Sequence, residues 1–169
     1  LHISQRNLTV STCGIVPNMR RLADEKLQIT LALSLHASSQ EKRKTLMPVA
    51  NKYALDDVLD ACRYYFEQTG RRITFEYSLV GGVNDSAEDA RELAALVHDI
   101  NCHINLIPVN PIKERDYVQS DNSAIQSFKN KLEKSGINVT IRREMGRDID
   151  GACGQLRKSY MDTEKERGE

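Results

Sequence analysis

With 169 residues, 40% hydrophobic and 28% charged, the chain has the length and composition of one globular domain. Lys+Arg and Asp+Glu balance at 24 each, and a neutral total neither points to nor excludes a nucleic-acid partner, because a local basic patch is enough. No apolar run is as long as a membrane span and no signal-peptide pattern opens the chain; the four cysteines form no Cys-x-x-Cys pair, which argues against a zinc knuckle or a disulfide framework and for a reducing cytoplasm.

Five β-rich runs follow one another: Leu8–Ser11, Ile29–Leu35, Ile73–Leu79, Ile104–Val109 and Val139–Arg142. Helical patterns separate most of them. Leu55, Val58, Leu59, Cys62 and Phe66 share a face that ends at Thr69-Gly70. Leu93, Leu96, Val97 and Ile100 mark a helix that Ser86 opens, with Asp89 three residues on. Ile125, Phe128 and Leu132 mark another, opened by Ser123 with Gln126 and closed by Gly136. Strands alternating with helices give an α/β fold with a parallel sheet. Each apolar run finishes in something polar: Ser11-Thr12, Ser34-Leu35-His36, Glu76, and Asn110 after Pro108. Ligands of β/α folds bind beyond the carboxyl ends of the strands, so these tips suggest a polar small-molecule site. The bland alternative is that strand ends are polar because they meet water.

Cys153 stands in Gly146-Arg-Asp-Ile-Asp-Gly-Ala-Cys-Gly-Gln-Leu156, among residues too small to cover its thiol. It reads either as a reactive thiol or as part of a Gly-rich turn. Cys62 on its helix stripe and Cys102 at the start of a strand read as packing, whereas Cys13 could line a pocket. His36 is an acid/base or ligand-contacting candidate, or simply a hydrogen-bonded histidine. Burial of Glu76 would call for a polar ligand or a basic neighbour. Gly81-Gly82-Val-Asn84-Asp85 is most simply a turn. Arg20-Arg21, Lys42-Arg43-Lys44, Arg71-Arg72 and Arg142-Arg143 with Arg147 are basic clusters that mostly read as solvated surface.

Taken together, several runs resemble one family. They are Thr9-Val-Ser-Thr-Cys-Gly-Ile-Val-Pro17, Leu31-Ala-Leu-Ser-Leu-His-Ala37, Leu46-Met-Pro48, Phe75-Glu-Tyr77, Gly82-Val-Asn-Asp85, Asn105-Leu-Ile-Pro-Val-Asn-Pro111 and Asp148-Ile-Asp-Gly-Ala-Cys-Gly-Gln-Leu156. From about residue 2 to about residue 160 the chain resembles the radical S-adenosylmethionine RNA methyltransferases of the RlmN/Cfr type, nearer the RlmN side. The resemblance implies a partial (β/α)6 barrel, with this chain supplying the last four barrel strands plus a C-terminal segment. Residues 1–145 would form that part of the barrel, and 146–169 a segment with the cysteine loop and a frayed charged tail.

The resemblance also implies roles. Ser11, Ser34, Leu35, His36 and Asn110 would contact S-adenosylmethionine. Cys153 would carry the methyl group as S-methylcysteine, on its way to adenine C2 of 23S ribosomal RNA and of transfer RNA. The basic clusters would be candidates for RNA phosphate contacts. The family's [4Fe-4S] cluster needs Cys-x-x-x-Cys-x-x-Cys, a spacing missing here, so its ligands are expected upstream of Leu1, along with a Gly-Glu pair and a second reactive cysteine. An external electron donor would serve the cluster. The chain alone is then expected to be an inactive C-terminal portion with an uncovered apolar sheet edge. Competing readings are a Cfr-type adenine C8 methyltransferase, a non-catalytic RNA- or partner-binding fragment, and a generic β/α metabolite binder.

Overall fold

All five β-rich runs form strands, and each pairs in parallel with the next. The computed structural model describes residues 3–109 and 118–142. In chain order the elements are β1 (Thr9–Thr12), α1 (Val16–Asp24), β2 (Thr30–Ser34), α2 (Gln40–Leu46), α3 (Leu55–Thr69), β3 (Ile73–Gly81), α4 (Ala87–Val97), β4 (Cys102–Pro108), β5 (Val118–Gln119), α5 (Asn122–Lys134) and β6 (Asn138–Ile141). The parallel sheet runs β1-β2-β3-β4-β6, while the two-residue β5 pairs antiparallel with the end of β3. Five strands are therefore parallel: the four that the resemblance gives to the barrel, and Asn138–Ile141. The expected boundary between residues 145 and 146 falls outside the described residues.

Sequential strand order with right-handed crossovers puts every connecting helix on one side of the sheet. The side chains divide accordingly. Leu31, Leu33, Ile73, Phe75, Tyr77, Leu79, Ile104 and Leu106 point into a core with Met19, Leu59, Tyr65, Leu93 and Phe128 from the helices. The alternate positions include Thr30, Ser34, Thr74, Glu76, Ser78, His103, Asn105, Asn138 and Thr140, all half-buried or exposed, with Ala32 and Ile107 as apolar members of the same set. Parallel sheets are ordinarily apolar on both faces. This one is mostly polar on the face away from the helices. β1 closes one side of the sheet, with Leu8 and Val10 exposed, as expected for an uncovered apolar edge.

Local signals account for most helix ends. Ser86 and Asp89 form the anticipated capping box, and Gly70 ends α3 with a left-handed φ of 65°. The third helix starts earlier than expected: Asp121, not Ser123, caps α5 by accepting from the Ala124 N–H. An aspartate is as good a cap as a serine, and two residues of helix precede the expected start. Helices α1 and α2 went unanticipated because their buried sides are slight, Met19 and Ala23 in one and Arg43 in the other. Among the described residues no helix is long and apolar enough to cross a membrane.

Candidate functional site

The strand register assembles the polar face. Ser34 stands opposite Glu76, Glu76 opposite Asn105, and Asn105 opposite Thr140, giving one polar row across β2, β3, β4 and β6. Ser11 pairs with Ala32, so it lies on the same face one pleat short of that row, and it is exposed. Glu76 is thus level with the tip of β2 but not at the tip of its own strand. β3 continues to Gly81 because β5 and the carbonyl of Leu79, which accepts from Val109, extend its pairing.

At the end of β2 the chain turns sharply. Leu35 is fully buried in the core, so toward a ligand it has only main-chain atoms to offer. The N–H groups of Leu35 and His36 both donate to the Glu76 carbonyl, at 3.0 and 3.3 Å. His36 then takes a left-handed φ of 59°, unusual for a residue with a Cβ. Two contacts hold it there. Its Nδ1 accepts from the Ser78 N–H at 3.0 Å, and its carbonyl accepts from Asn84 Nδ2 at 2.8 Å.

Asn84 is fully buried and organises this corner. Its Nδ2 also donates to the Ser78 carbonyl at 2.7 Å, and its Oδ1 accepts from the Val80 N–H at 2.8 Å. The Tyr77 hydroxyl donates to the Asn84 carbonyl at 2.9 Å. With Nδ1 accepting, the neutral His36 ring carries its proton on Nε2. Burial, and then the Arg43 guanidinium, push its pKa down to about 4. At neutral pH His36 is an uncharged donor with a flat face rather than an acid/base group.

The remaining row forms a hydrogen-bond series. His103 Nε2 lies 2.9 Å from Thr140 Oγ1, Thr140 donates to Asn105 Oδ1 at 3.2 Å, and Asn105 Nδ2 reaches both Glu76 oxygens at 3.3 and 3.2 Å. An open cleft of about 620 Å³ lies at the opposite, N-terminal ends of β3, β4 and β6, lined by Arg72, His103, Asn138 and Thr140 among others. It is separate from the Ser34–His36 corner.

The cysteines divide as the sequence suggests. Cys62 and Cys102 are buried, and burial pushes their thiols up to about 12 and about 11, so they are packing groups. Cys13 is half-buried, and its carbonyl accepts from Arg43 Nη2 at 2.8 Å. Cys153 and Asn110 lie outside the described residues. The hydroxyls and imidazole N–H on the polar face suit a ribonucleoside. An iron–sulfur cluster does not fit the described cysteines: two are sealed in the core, and among the described residues no group of three His, Cys, Asp or Glu could hold a metal.

Sequence alone gives no site role to Asn84 or Asn105, which stand in the quoted runs, nor to His103 and Thr140. The available signal was period-two alternation inside the strands, with Thr74, Glu76 and Ser78 in β3 and His103 and Asn105 in β4 on one face.

Against known proteins, the chain is 70% identical over 162 residues to a Lachnospira eligens protein described as a probable dual-specificity RNA methyltransferase RlmN. Across nearly all of its length the chain therefore matches part of the RlmN radical S-adenosylmethionine RNA methyltransferases. That alignment covers 96% of this chain and 46% of the relative. A relative of the same description from Clostridium botulinum is 60% identical over 169 residues, all of this chain and 49% of its own length. The chain thus spans about half the length of the curated RlmN relatives it matches. The crystal structure of a radical SAM methyltransferase from Sphaerobacter thermophilus superposes with a TM-score of 0.86 at 44% identity, over 90% of this chain and 45% of that one. A domain of a pyruvate-formate lyase-activating enzyme from Bacteroides vulgatus shares the fold, with a TM-score of 0.61 at 19% identity over 80% of each. No protein-family model matches the chain.

Proposed function

We propose that this chain supplies part of the S-adenosylmethionine site and the methyl-carrying cysteine of an RNA methyltransferase acting at adenine C2 of 23S ribosomal RNA and of transfer RNA. The 70% identity to an RlmN relative across nearly the whole chain carries this reading. The gathering of Ser11, Ser34 and His36 on one polar face supports it. In this reading β1 to β4 are the last four strands of a six-stranded barrel, and the polar face looks into its interior.

When bound, S-adenosylmethionine supplies an electrophilic methyl group and, on one-electron reduction, a hydrogen-abstracting radical. The residues of this chain bind and orient it. The Ser11 and Ser34 hydroxyls and the Nε2–H of His36 offer hydrogen bonds to the cofactor, Leu35 contributes main chain, and Asn110 adds an amide. Cys153 acts as the nucleophile that takes up the methyl group. A carrier thiol is needed because the adenine carbon is itself electron-poor, so direct transfer of a methyl cation to it is disfavoured. The cluster ligands belong to residues other than those described, and the chain by itself is inactive. The protein works in the cytoplasm on RNA, with an external electron donor.

The test is Cys153→Ala in the intact protein encoded by this gene, with S-adenosylmethionine binding and the nucleosides of cellular RNA both measured. Binding is expected to persist while 2-methyladenosine disappears. Persistent 2-methyladenosine would refute the role of Cys153, and 8-methyladenosine from the unaltered protein would move the assignment to the Cfr-type reaction.

A further inference from the structure

Glu76 has a place in the row but no use in the scheme above. Its carboxylate is half-buried, and among the described residues no lysine or arginine pairs with it. Its side-chain partner is the Asn105 amide, at 3.2–3.3 Å from both oxygens. Withdrawing a carboxylate from water is costly unless donors replace the lost hydration, and a carboxylate has about four acceptor sites. Most of that capacity is left facing the open polar face.

The series behind Glu76 has a direction. The Thr140 hydroxyl has one hydrogen and gives it to Asn105 Oδ1, so His103 Nε2 must be the donor to Thr140. Asn105 then has its oxygen satisfied and its N–H aimed at Glu76. Every bond runs from His103 toward the carboxylate, an alignment in which successive bonds polarise one another. Glu76 is thereby held still, level with Ser34 and one strand spacing, about 4.8 Å, away from it.

We propose that Glu76 is a ligand-contacting residue that accepts hydrogen bonds from the ribose hydroxyls of the bound nucleoside, with His103, Thr140 and Asn105 as its positioning residues. A vicinal diol offers two adjacent O–H donors to two adjacent carboxylate oxygens, and acidic side chains bind ribose hydroxyls in this way in dinucleotide-binding folds. The proposal rests on reading this face as the S-adenosylmethionine site.

The experiment is calorimetric titration of the intact protein with S-adenosylmethionine and with its 2′,3′-dideoxyribose analogue. The unaltered protein should bind the analogue at least about tenfold more weakly, the scale of losing hydrogen bonds to a charged group. Glu76→Gln should weaken S-adenosylmethionine by about tenfold and leave the analogue unchanged, collapsing the ratio between them. Thr140→Val, at an exposed position, should reduce the same ratio a few-fold. If Glu76→Gln does not fold, Glu76→Asp supplies the same comparison. A ratio that survives these changes overturns the inference while leaving the cofactor site intact. Failure of the unaltered protein to bind S-adenosylmethionine overturns both.

Discussion

Replacing Asn84 by alanine should be among the most damaging single changes in the described part of the chain. The side chain is fully buried and makes three bonds to main chain: to the carbonyls of His36 and Ser78 and from the N–H of Val80. Alanine leaves all three main-chain groups without those partners. Each buried group left unsatisfied costs about 1–3 kcal/mol, so the sum is about 4 kcal/mol once water enters part of the space. That is a large share of the roughly 5–15 kcal/mol that holds a domain together. Asn84→Asp sharpens the test, because it keeps the shape but sets a carboxylate against two carbonyl oxygens. At pH 7 it should lose at least as much stability as the alanine variant. At acid pH, where a protonated carboxyl regains one donor, it should recover part of that loss. Urea unfolding followed by circular dichroism measures both. A loss below about 1 kcal/mol for Asn84→Ala, or an aspartate variant with no acid recovery relative to alanine, would refute the idea that this amide holds the His36 corner.

His36 should make stability depend on acid. Its folded pKa of about 4 lies below the ordinary value of 6.5, so the neutral ring is the form that folding favours. Its contribution is complete above pH 6.5 and is lost as pH falls from there through about 4, a loss of about 3 kcal/mol from this group. His36→Asn tolerates a left-handed φ and keeps an acceptor near Ser78, so it should flatten that limb in urea titrations at successive pH; an unchanged limb would assign it elsewhere. Gly14→Ala should destabilise by about 2 kcal/mol, because a Cβ there would meet Arg43 Nη2 at 3.0 Å and Val58 at 3.2 Å and the φ is 97°. An unfolding midpoint within error of the parent would show that this turn is not constrained.

The strands, the capping box of α4 and the apolar stripe of α3 were legible because each is written in neighbouring residues: alternation, a Ser-x-x-Asp pair, a helical repeat closed by glycine. Ser34 and His36 were legible as candidates because they sit at the end of an apolar run. The Glu76 row was not, since it exists only through register. Nothing in the local sequence says that Thr140 stands opposite Asn105, or that Asn105 stands opposite Glu76. The role of Asn84 was hidden for a related reason. A Gly-Val-Asn-Asp turn looks like surface until the fold closes over its amide.

The order in which the strands pair also bears on how the sheet comes apart. Within the parallel sheet each strand borders only the parallel strands before and after it in the chain, so that sheet behaves as a one-dimensional stack of units joined by nearest-neighbour interfaces. β3 and β4 share the longest interface, from Ile73↔Cys102 to Leu79↔Pro108, whereas each edge strand is tied by four pairs, β1 to β2 through Thr9↔Thr30 to Thr12↔Leu33 and β6 to β4 through His103↔Asn138 to Leu106↔Ile141. Opening should therefore start at the two edges, β1 and β6, and move inward, with amide exchange faster there and slowest at the centre of β3 and β4.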